Sequence, residues 1–172
     1  MLSHLVPDEP EVLGLQALLE DQDRRLWDML LIRRGLDALA RAEGLGTPVG
    51  PYVVQAEIAA CHARARTAEQ TDWPRIAELY DVLAGVAPGP VVEVNRAVAH
   101  GRAFGPEAGL AVLGGLYDGP LARSHLLPAV RGDLLARAGR VVEAAAAFRE
   151  AAALTHNEGE RTVLLGRADG IT

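Results

Sequence analysis

The sequence predicts an all-α fold of stacked helical hairpins, and two observations support this prediction. First, 49% of the 172 residues are hydrophobic but only 4% are aromatic, and alanine and leucine, which favour helices, dominate. Runs of β-branched residues are short, as at residues 90–92, so strands are not expected. Second, small and apolar residues recur at spacings of 4 and 3, which place them on one face of a helix.

This spacing marks a unit that occurs three times, most clearly around Gly139, where one helix ends and a second begins. The three sets are Ile76, Tyr80 and Leu83; Ala108, Val112 and Gly115; and Ala144, Phe148 and Ala151. Their first members are 32 and 36 residues apart, which brackets the ~34-residue period of tetratricopeptide (TPR) repeats. The sequence therefore predicts a TPR-like α-solenoid. The alternative is an irregular all-α domain in which the spacing arises by chance.

About nine helices are predicted in a single domain, residues 1–172, which begins with N-terminal helices at residues 1–49. Acidic residues between Asp8 and Glu11 lie in the first turn of the first helix, where the helix dipole favours negative charge. The second helix runs from Asp23 to about Glu43 and ends at the glycines and prolines of residues 44–51. TPR-like hairpins follow at residues 50–156, and a capping helix with a tail at residues 157–172.

Proline, glycine and capping residues set the limits of the remaining helices. Pro51 begins the third helix, which runs to about Arg64, and Thr71 or Asp72 caps the fourth, which ends before Pro88. The others are expected at about 91–101, from near 106 with an end no later than 118–120, on either side of residue 139, and from about 158 to 167. The tail at residues 169–172 is expected to fray.

Composition excludes several classes of function. The formal net charge is −6 and every basic residue is an arginine, so direct DNA binding, which needs clustered positive charge, is not expected. The single cysteine, Cys61, cannot form a disulfide within the chain and is compatible with the cytoplasm. Apolar stretches are shorter than the ~20 residues that a membrane span needs, so no membrane association is predicted.

No enzymatic or metal-binding pattern is found in the sequence. The five histidines are scattered without the spacing of a helical metal site, and Cys61 and His62 diverge on a helix because they are adjacent. The serines, Ser3 and Ser124, do not follow a strand, so a nucleophile elbow is not expected. The sequence therefore predicts no metal, no cofactor and no catalytic residues.

Polar residues on the inner helices are the candidate protein-binding residues of a concave face. They are Gln55, His62, Asn95, Arg96 and Arg131. Asn95 lies 13 residues before Ala108, and Arg131 lies 13 before Ala144, so the two occupy equivalent positions on successive first helices. They are expected either to form a ladder that faces a bound segment or to join a structural network with Arg131 paired to a carboxylate.

Motifs along nearly the whole chain resemble one group of bacterial proteins. The motifs are LVPDEPEVLGLQAL (5–18), LEDQDR (19–24) with Trp27, GPY (50–52) with Gln55, IAACHA (58–63), TDW (71–73) with Tyr80, PVV (90–92) and NRAVA (95–99). Together they resemble the C-terminal TPR-like extension of extracytoplasmic-function (ECF) RNA polymerase sigma factors, which belong to the sigma-70 superfamily.

The resemblance implies that the intact protein carries two further helical domains that bind core RNA polymerase and recognise promoter elements. Neither domain is present in this chain. The extension is expected to support or regulate transcription initiation by contacting core RNA polymerase or its own N-terminal sigma domains. A small YCII-like protein with a DGPF motif is a further candidate partner.

Two features depart from the group. Glu20 runs directly into Asp21, where related sequences have a longer segment rich in arginine and aspartate. Either the segment is deleted or a loop is missing here; the second interpretation is favoured, and Glu20 and Asp21 are then not covalent neighbours. Pro128 and Gly132 fall inside the seventh predicted helix, and Pro128 is expected in its first turn or at a kink.

Two alternatives to a sigma factor domain remain: a free-standing TPR adaptor that binds a peptide or protein and, more remotely, a small helical enzyme. An adaptor predicts an open groove in which Asn95 and Arg131 are unpaired. An intramolecular role predicts an apolar patch near the first helix. An enzyme requires a closed pocket with several perturbed titratable groups.

Overall fold

The computed structural model describes Asp37, residues 50–65 and residues 67–170. They fall into two compact units that divide between Asp72 and Trp73. Seven α-helices and no strands occur in these described parts of the chain, so the all-α prediction is confirmed. The first two predicted helices lie outside the described residues, except for Asp37, which is helical.

The helices begin and end close to the positions that proline and glycine predict. They are α1 (Pro51–Arg64), α2 (Trp73–Val86), α3 (Pro90–Phe104), α4 (Pro106–Gly114), α5 (Leu126–Arg137), α6 (Val141–Leu154) and α7 (Glu158–Gly170), with a 3₁₀ turn at Ala68–Gln70. Pro51, Pro90 and Pro106 begin their helices, where a missing backbone N–H costs little.

Two predicted C-terminal limits are wrong, and in both helices the last turns lie close to residues that are distant in sequence. α3 continues past Gly101 to Phe104, and Gly101 is buried where Leu134 of α5 passes close to it. α7 continues to Gly170, so Asp169 does not fray; its carboxylate lies 3.2 Å from the guanidinium of Arg149 on α6. Residues 171 and 172 lie outside the described residues.

Helices α2–α7 pack mainly against their neighbours along the chain. α3 contacts α2 and α4, α5 contacts α4 and α6, and α7 contacts α6. α3 also packs against α5, so the first helices of two successive pairs touch. Short links join α2 to α3, α3 to α4, α5 to α6 and α6 to α7, whereas residues 115–125 separate α4 from α5. Gly105 alone joins α3 to α4 with a φ of 99°, a left-handed conformation that favours glycine. The short links make the helices that they join helical hairpins.

The core of α5–α7 is built from small residues around one aromatic ring. Phe148 is 1% exposed and lies between fully buried alanines of α6, against Leu135 of α5 and Leu164 of α7. The predicted buried stripes at Ile76, Tyr80 and Leu83 and at Ala144, Phe148 and Ala151 are confirmed. Alanines beside a ring allow the helix axes to approach without leaving a void.

The predicted stripe of α4 is wrong by one residue. Gly109 and Leu113 are buried, whereas Ala108 and Val112 are only partly buried and Gly115 is exposed beyond the end of the helix. Gly109 faces inward because it lies against the backbone of α3: a Cβ at this position would be 2.9 Å from the Cα of Gly101. Only a residue without a side chain fits at this crossing.

The two unusual residues of α5 have separate explanations. Pro128 is the third residue of the helix, so it lies in the first turn, as one of the two predictions has it. Gly132 lies in mid-helix, where a Cβ would be 2.7 Å from the ring of Phe148. Glycine is present here because the ring of the partner helix occupies the space of a side chain.

The turn between α6 and α7 is held by side chains. The carboxamide oxygen of Asn157 accepts hydrogen bonds from the backbone N–H groups of Gly159 (2.8 Å) and Glu160 (3.2 Å). The hydroxyl of Thr155 accepts from the Asn157 N–H and donates to the Glu160 carboxylate at 2.6 Å. This arrangement caps the N-terminus of α7.

Candidate protein-binding site

Two of the five predicted site residues lie on α1, in the first unit. Gln55 is exposed and His62 is buried, at 6% exposure. Residues seven apart lie on nearly the same face of a helix, so this face of α1 is exposed at Gln55 and buried at His62. Their assignment to partner binding stays a prediction.

Asn95 and Arg96 are neighbours on α3 with different roles in the packing. Asn95 is 3% exposed, and its carboxamide oxygen has no hydrogen-bond partner among the described residues. The Arg96 guanidinium lies 3.0 Å from the carboxylate of Asp81 on α2 and 2.7 Å from that of Glu93. His100 shares Asp81 at 3.0 Å. Arg96 therefore ties α2 to α3.

Arg131 is also held by a carboxylate. Its guanidinium donates to Glu150 of α6 at 2.8 Å and lies 5.9 Å from the centre of the Tyr117 ring. This is the structural network that the sequence analysis gives as the alternative to a row of polar residues facing a bound segment. The unpaired Arg131 that an adaptor groove predicts is not observed.

The inward position of Gly109 also changes which residues are equivalent. Gly109 and Ala144 are 35 residues apart, and with this step Arg96 corresponds to Arg131, and Arg102 to Arg137. Asn95 then corresponds to the buried Val130, so the equivalence of Asn95 and Arg131 was wrong. Arg96 and Arg131 are the pair engaged by carboxylates of neighbouring helices.

A second arginine pair, Arg102 and Arg137, was not among the sequence candidates. The Arg102 guanidinium lies 5.4 Å from the centre of the Trp73 ring. Burial, followed by repulsion from Arg137, lowers the pKa of Arg102 from 12.5 to about 10, against an opposite effect of Asp133. The 35-residue step between two arginines was visible in the sequence and could have identified the pair.

Asp133 links this region to α7. Its carboxylate forms an ion pair with Arg167, whose guanidinium lies 4.4 Å from the centre of the buried Phe148 ring. Arg102, Asp133, Arg137 and Arg167 thus come from α3, α5 and α7, with three positive charges and one negative charge among them. We refer to Arg102, Arg137 and Trp73 together as the arginine pair site.

No three histidine, cysteine, aspartate or glutamate side chains in residues 50–65 and 67–170 are grouped so that they could hold a metal ion. Among the described helices, none combines the length and the apolar character needed to cross a membrane.

The chain is similar to an uncharacterized protein of Rhizobium meliloti (strain 1021). The two are 41% identical over 189 aligned residues, which cover 98% of this chain and 44% of that relative. The chain therefore spans less than half the length of the relative. The aligned region is longer than the chain itself, so the relative has additional residues inside it. No family model matches the chain, and no solved structure matches it.

Proposed function

We propose that this chain is the C-terminal regulatory and protein-interaction domain of an ECF-type RNA polymerase sigma factor, acting in the cytoplasm. The observation that carries the proposal is the set of motifs spread from residue 5 to residue 99, which together resemble that group. The role is transcriptional support through protein contacts, without catalysis and without direct DNA binding.

The architecture supports a binding role. α3 packs against α5, so the described hairpins can continue side by side as a TPR-like solenoid whose successive first helices line one surface. Such scaffolds present extended surfaces to other proteins. The net charge of −6 favours protein partners over nucleic acid.

The Rhizobium relative supports the proposal in two ways. It is more than twice as long as the aligned region, which leaves room for sigma domains outside it. It also has additional internal residues, as expected if a segment is missing between Glu20 and Asp21. In the proposed function, core RNA polymerase and the sigma domains are the partners, with a YCII-like DGPF protein as a third candidate.

The test is an affinity capture with the purified 172-residue chain. The chain is immobilised and offered core RNA polymerase, and separately the part of the Rhizobium relative that lies outside the aligned region. An immobilised helical protein of similar size and net charge is the control for non-specific retention. Retention of either partner by the chain alone supports the proposal. A well-folded chain that retains neither contradicts it and favours a free-standing adaptor.

A further inference from the structure

α7 contains more glycine than its packing requires. Three of its 13 residues are glycine, namely Gly159, Gly166 and Gly170. A Cβ at Gly166 or at Gly170 would have no atom within 4 Å, so neither position needs glycine for a close contact, unlike Gly101 and Gly109. Glycine disfavours a helix relative to alanine, most clearly in mid-helix, where Gly166 lies. The composition of α7 therefore weakens the helix without improving its packing.

Two buried side chains anchor α7 to the core. They are Leu164 and Ala168, which lie four residues apart on one helix face. Both belong to the same apolar cluster as Leu135 of α5 and Phe148 and Ala152 of α6. We refer to the apolar surface that α7 covers, with Leu135, Phe148 and Ala152, as the strap groove. Because small residues of α6 flank the ring, the groove accepts one helix at close range.

Pairs of polar side chains at the rim of the strap groove also attach α7. All of these side chains are partly exposed, so salt screens the pairs and each contributes little. At the start of α7, the Arg161 guanidinium donates to the backbone carbonyls of Ala152 (3.2 Å) and Thr155 (2.9 Å). These bonds fix the first turns of α7 to the end of α6, so the helix is hinged at residues 155–157. The pairs at the rim are Arg167 with Asp133, Asp169 with Arg149, and Glu160 with His125.

We propose that α7 is a displaceable strap, and that the strap groove binds an amphipathic helix of a partner protein in its place. The occupant has the chemistry that α7 itself shows: a leucine, an arginine three residues later and an alanine four residues later, as in Leu164, Arg167 and Ala168. In this pattern the leucine and the alanine are buried, and the arginine lies 4.4 Å from the centre of the Phe148 ring. An amphipathic helix in an apolar groove is a recurrent mode of recognition.

Two opposing effects decide the competition between α7 and a partner helix. The short turn at residues 155–157 tethers α7, which gives it an effective concentration in the millimolar range. A partner helix without glycine loses less conformational entropy when it becomes ordered in the groove. The apparent affinity for the partner is the intrinsic affinity reduced by the fraction of chains in which α7 has left the groove. The inference goes beyond the proposed function, because it applies equally to a sigma factor domain and to a free-standing adaptor.

The experiment measures binding of a fluorescein-labelled peptide to the full 172-residue chain by fluorescence anisotropy. The probe has the sequence of residues 157–170 with alanine in place of its three glycines, and a control peptide also carries Leu164→Ser. Two variants of the chain shift the strap: Leu164→Ala removes a buried anchor, and Gly166→Ala strengthens the helix. Leu165→Ala makes the same chemical change as Leu164→Ala at a 41% exposed neighbour and is the matched control.

The two strap variants are expected to change the affinity for the probe in opposite directions. Leu164→Ala tightens binding about tenfold, because α7 leaves the groove more often. Gly166→Ala weakens it about fivefold, because α7 is retained more firmly. Leu165→Ala leaves the affinity within about twofold, and the control peptide binds about tenfold more weakly than the probe. Binding of the probe elsewhere on the surface would not respond to the strap in this way.

Circular dichroism checks that each variant is folded, and should Leu164→Ala fail to fold, Gly166→Ala decides. The proposal is overturned if neither the wild-type chain nor Leu164→Ala binds the probe, if Leu164→Ala does not tighten binding, or if Leu165→Ala tightens it equally. It is also overturned if light scattering shows that the wild-type chain is a dimer and Leu164→Ala a monomer, since α7 of a second copy would then occupy the groove.

Capture of core RNA polymerase tests the proposed function separately. Retention of polymerase without binding of the probe overturns only the strap. Binding of the probe without retention of polymerase or of sigma domains overturns only the sigma factor role.

Discussion

The contact between α3 and α4 leads to a prediction in which the same substitution has opposite effects at two sites. Glycine to alanine inside a helix normally stabilises a protein by about 1 kcal/mol. At Gly109, however, the new Cβ would lie 2.6 Å from the carbonyl oxygen of Ala97 and 2.9 Å from the Cα of Gly101. Both atoms belong to the backbone of α3, so the overlap is relieved only if the two helices move apart.

The size of the effect follows from these two terms. Overpacking costs about 1–3 kcal/mol and is at the high end here because backbone atoms cannot rotate away. After the gain in helix propensity, Gly109→Ala is expected to lower the free energy of unfolding by about 1–2 kcal/mol. At Gly166 in α7 nothing lies within 4 Å of the new Cβ, so Gly166→Ala gains about 1 kcal/mol.

Thermal unfolding followed by circular dichroism measures the difference. A gap of about 2–3 kcal/mol between the variants corresponds to about 4–12 °C in Tm for a chain of this size. Gly166→Ala is the matched control because it makes the same chemical change in a helix of the same unit. A Gly109→Ala protein that melts at or above the wild-type temperature would refute the close crossing of α3 and α4.

Three further changes test the core, a helix cap and a buried polar group. Phe148→Ala is expected to lower the free energy of unfolding by about 3–5 kcal/mol, since it leaves a cavity, whereas Phe104→Ala at a 60% exposed site changes it by less than about 1 kcal/mol; equal urea midpoints would contradict this. Asn157→Ala removes the cap of α7 and is expected to cost about 1 kcal/mol, with faster amide exchange in the first turn of α7; unchanged exchange there would contradict it. Asn95→Leu removes a buried oxygen without a hydrogen-bond partner and is expected to raise the free energy of unfolding by about 1–2 kcal/mol; a lower Tm would show that the carboxamide is stabilising.

Sequence reasoning worked best where one residue determines local geometry. Pro51, Pro90 and Pro106 start helices because each lacks an N–H that a first helical position does not use. Gly139 adopts a φ of 73° between α5 and α6, as a residue that ends a helix often does. These signals are contained in single residues and need no tertiary information.

The errors arose where two interpretations fit the same local pattern. Ala108 and Gly109 are adjacent small residues, and each begins a series with a spacing of 4, so periodicity cannot choose between them. The choice is made by Gly101, which approaches Gly109 only in the folded protein. The last turn of α7 likewise makes a contact that is distant in sequence, between Asp169 and Arg149, which are 20 residues apart.

The candidate site was predicted less well than the fold. Asn95 and Arg131 stood out because polar residues on inner helices are conspicuous, but one is buried and the other is paired with Glu150. The sequence does not distinguish Arg102 and Arg137, because an arginine near the end of a helix is usually a solvated residue. Their proximity depends on the packing of α3 against α5, which no local pattern contains.

The packing of α2–α7 against their neighbours along the chain has a consequence for how the domain folds and unfolds. Contacts that are local in sequence require little loop closure, so this topology is expected to fold rapidly. It also allows the stack to unravel from its end without disturbing the middle, because α7 packs mainly on α6 whereas α3 and α5 each pack on three helices. Amide protons of α3 and α5 should therefore exchange with solvent more slowly than those of α7. The two helices that carry Arg102 and Arg137 would then be the part of the domain that stays folded longest.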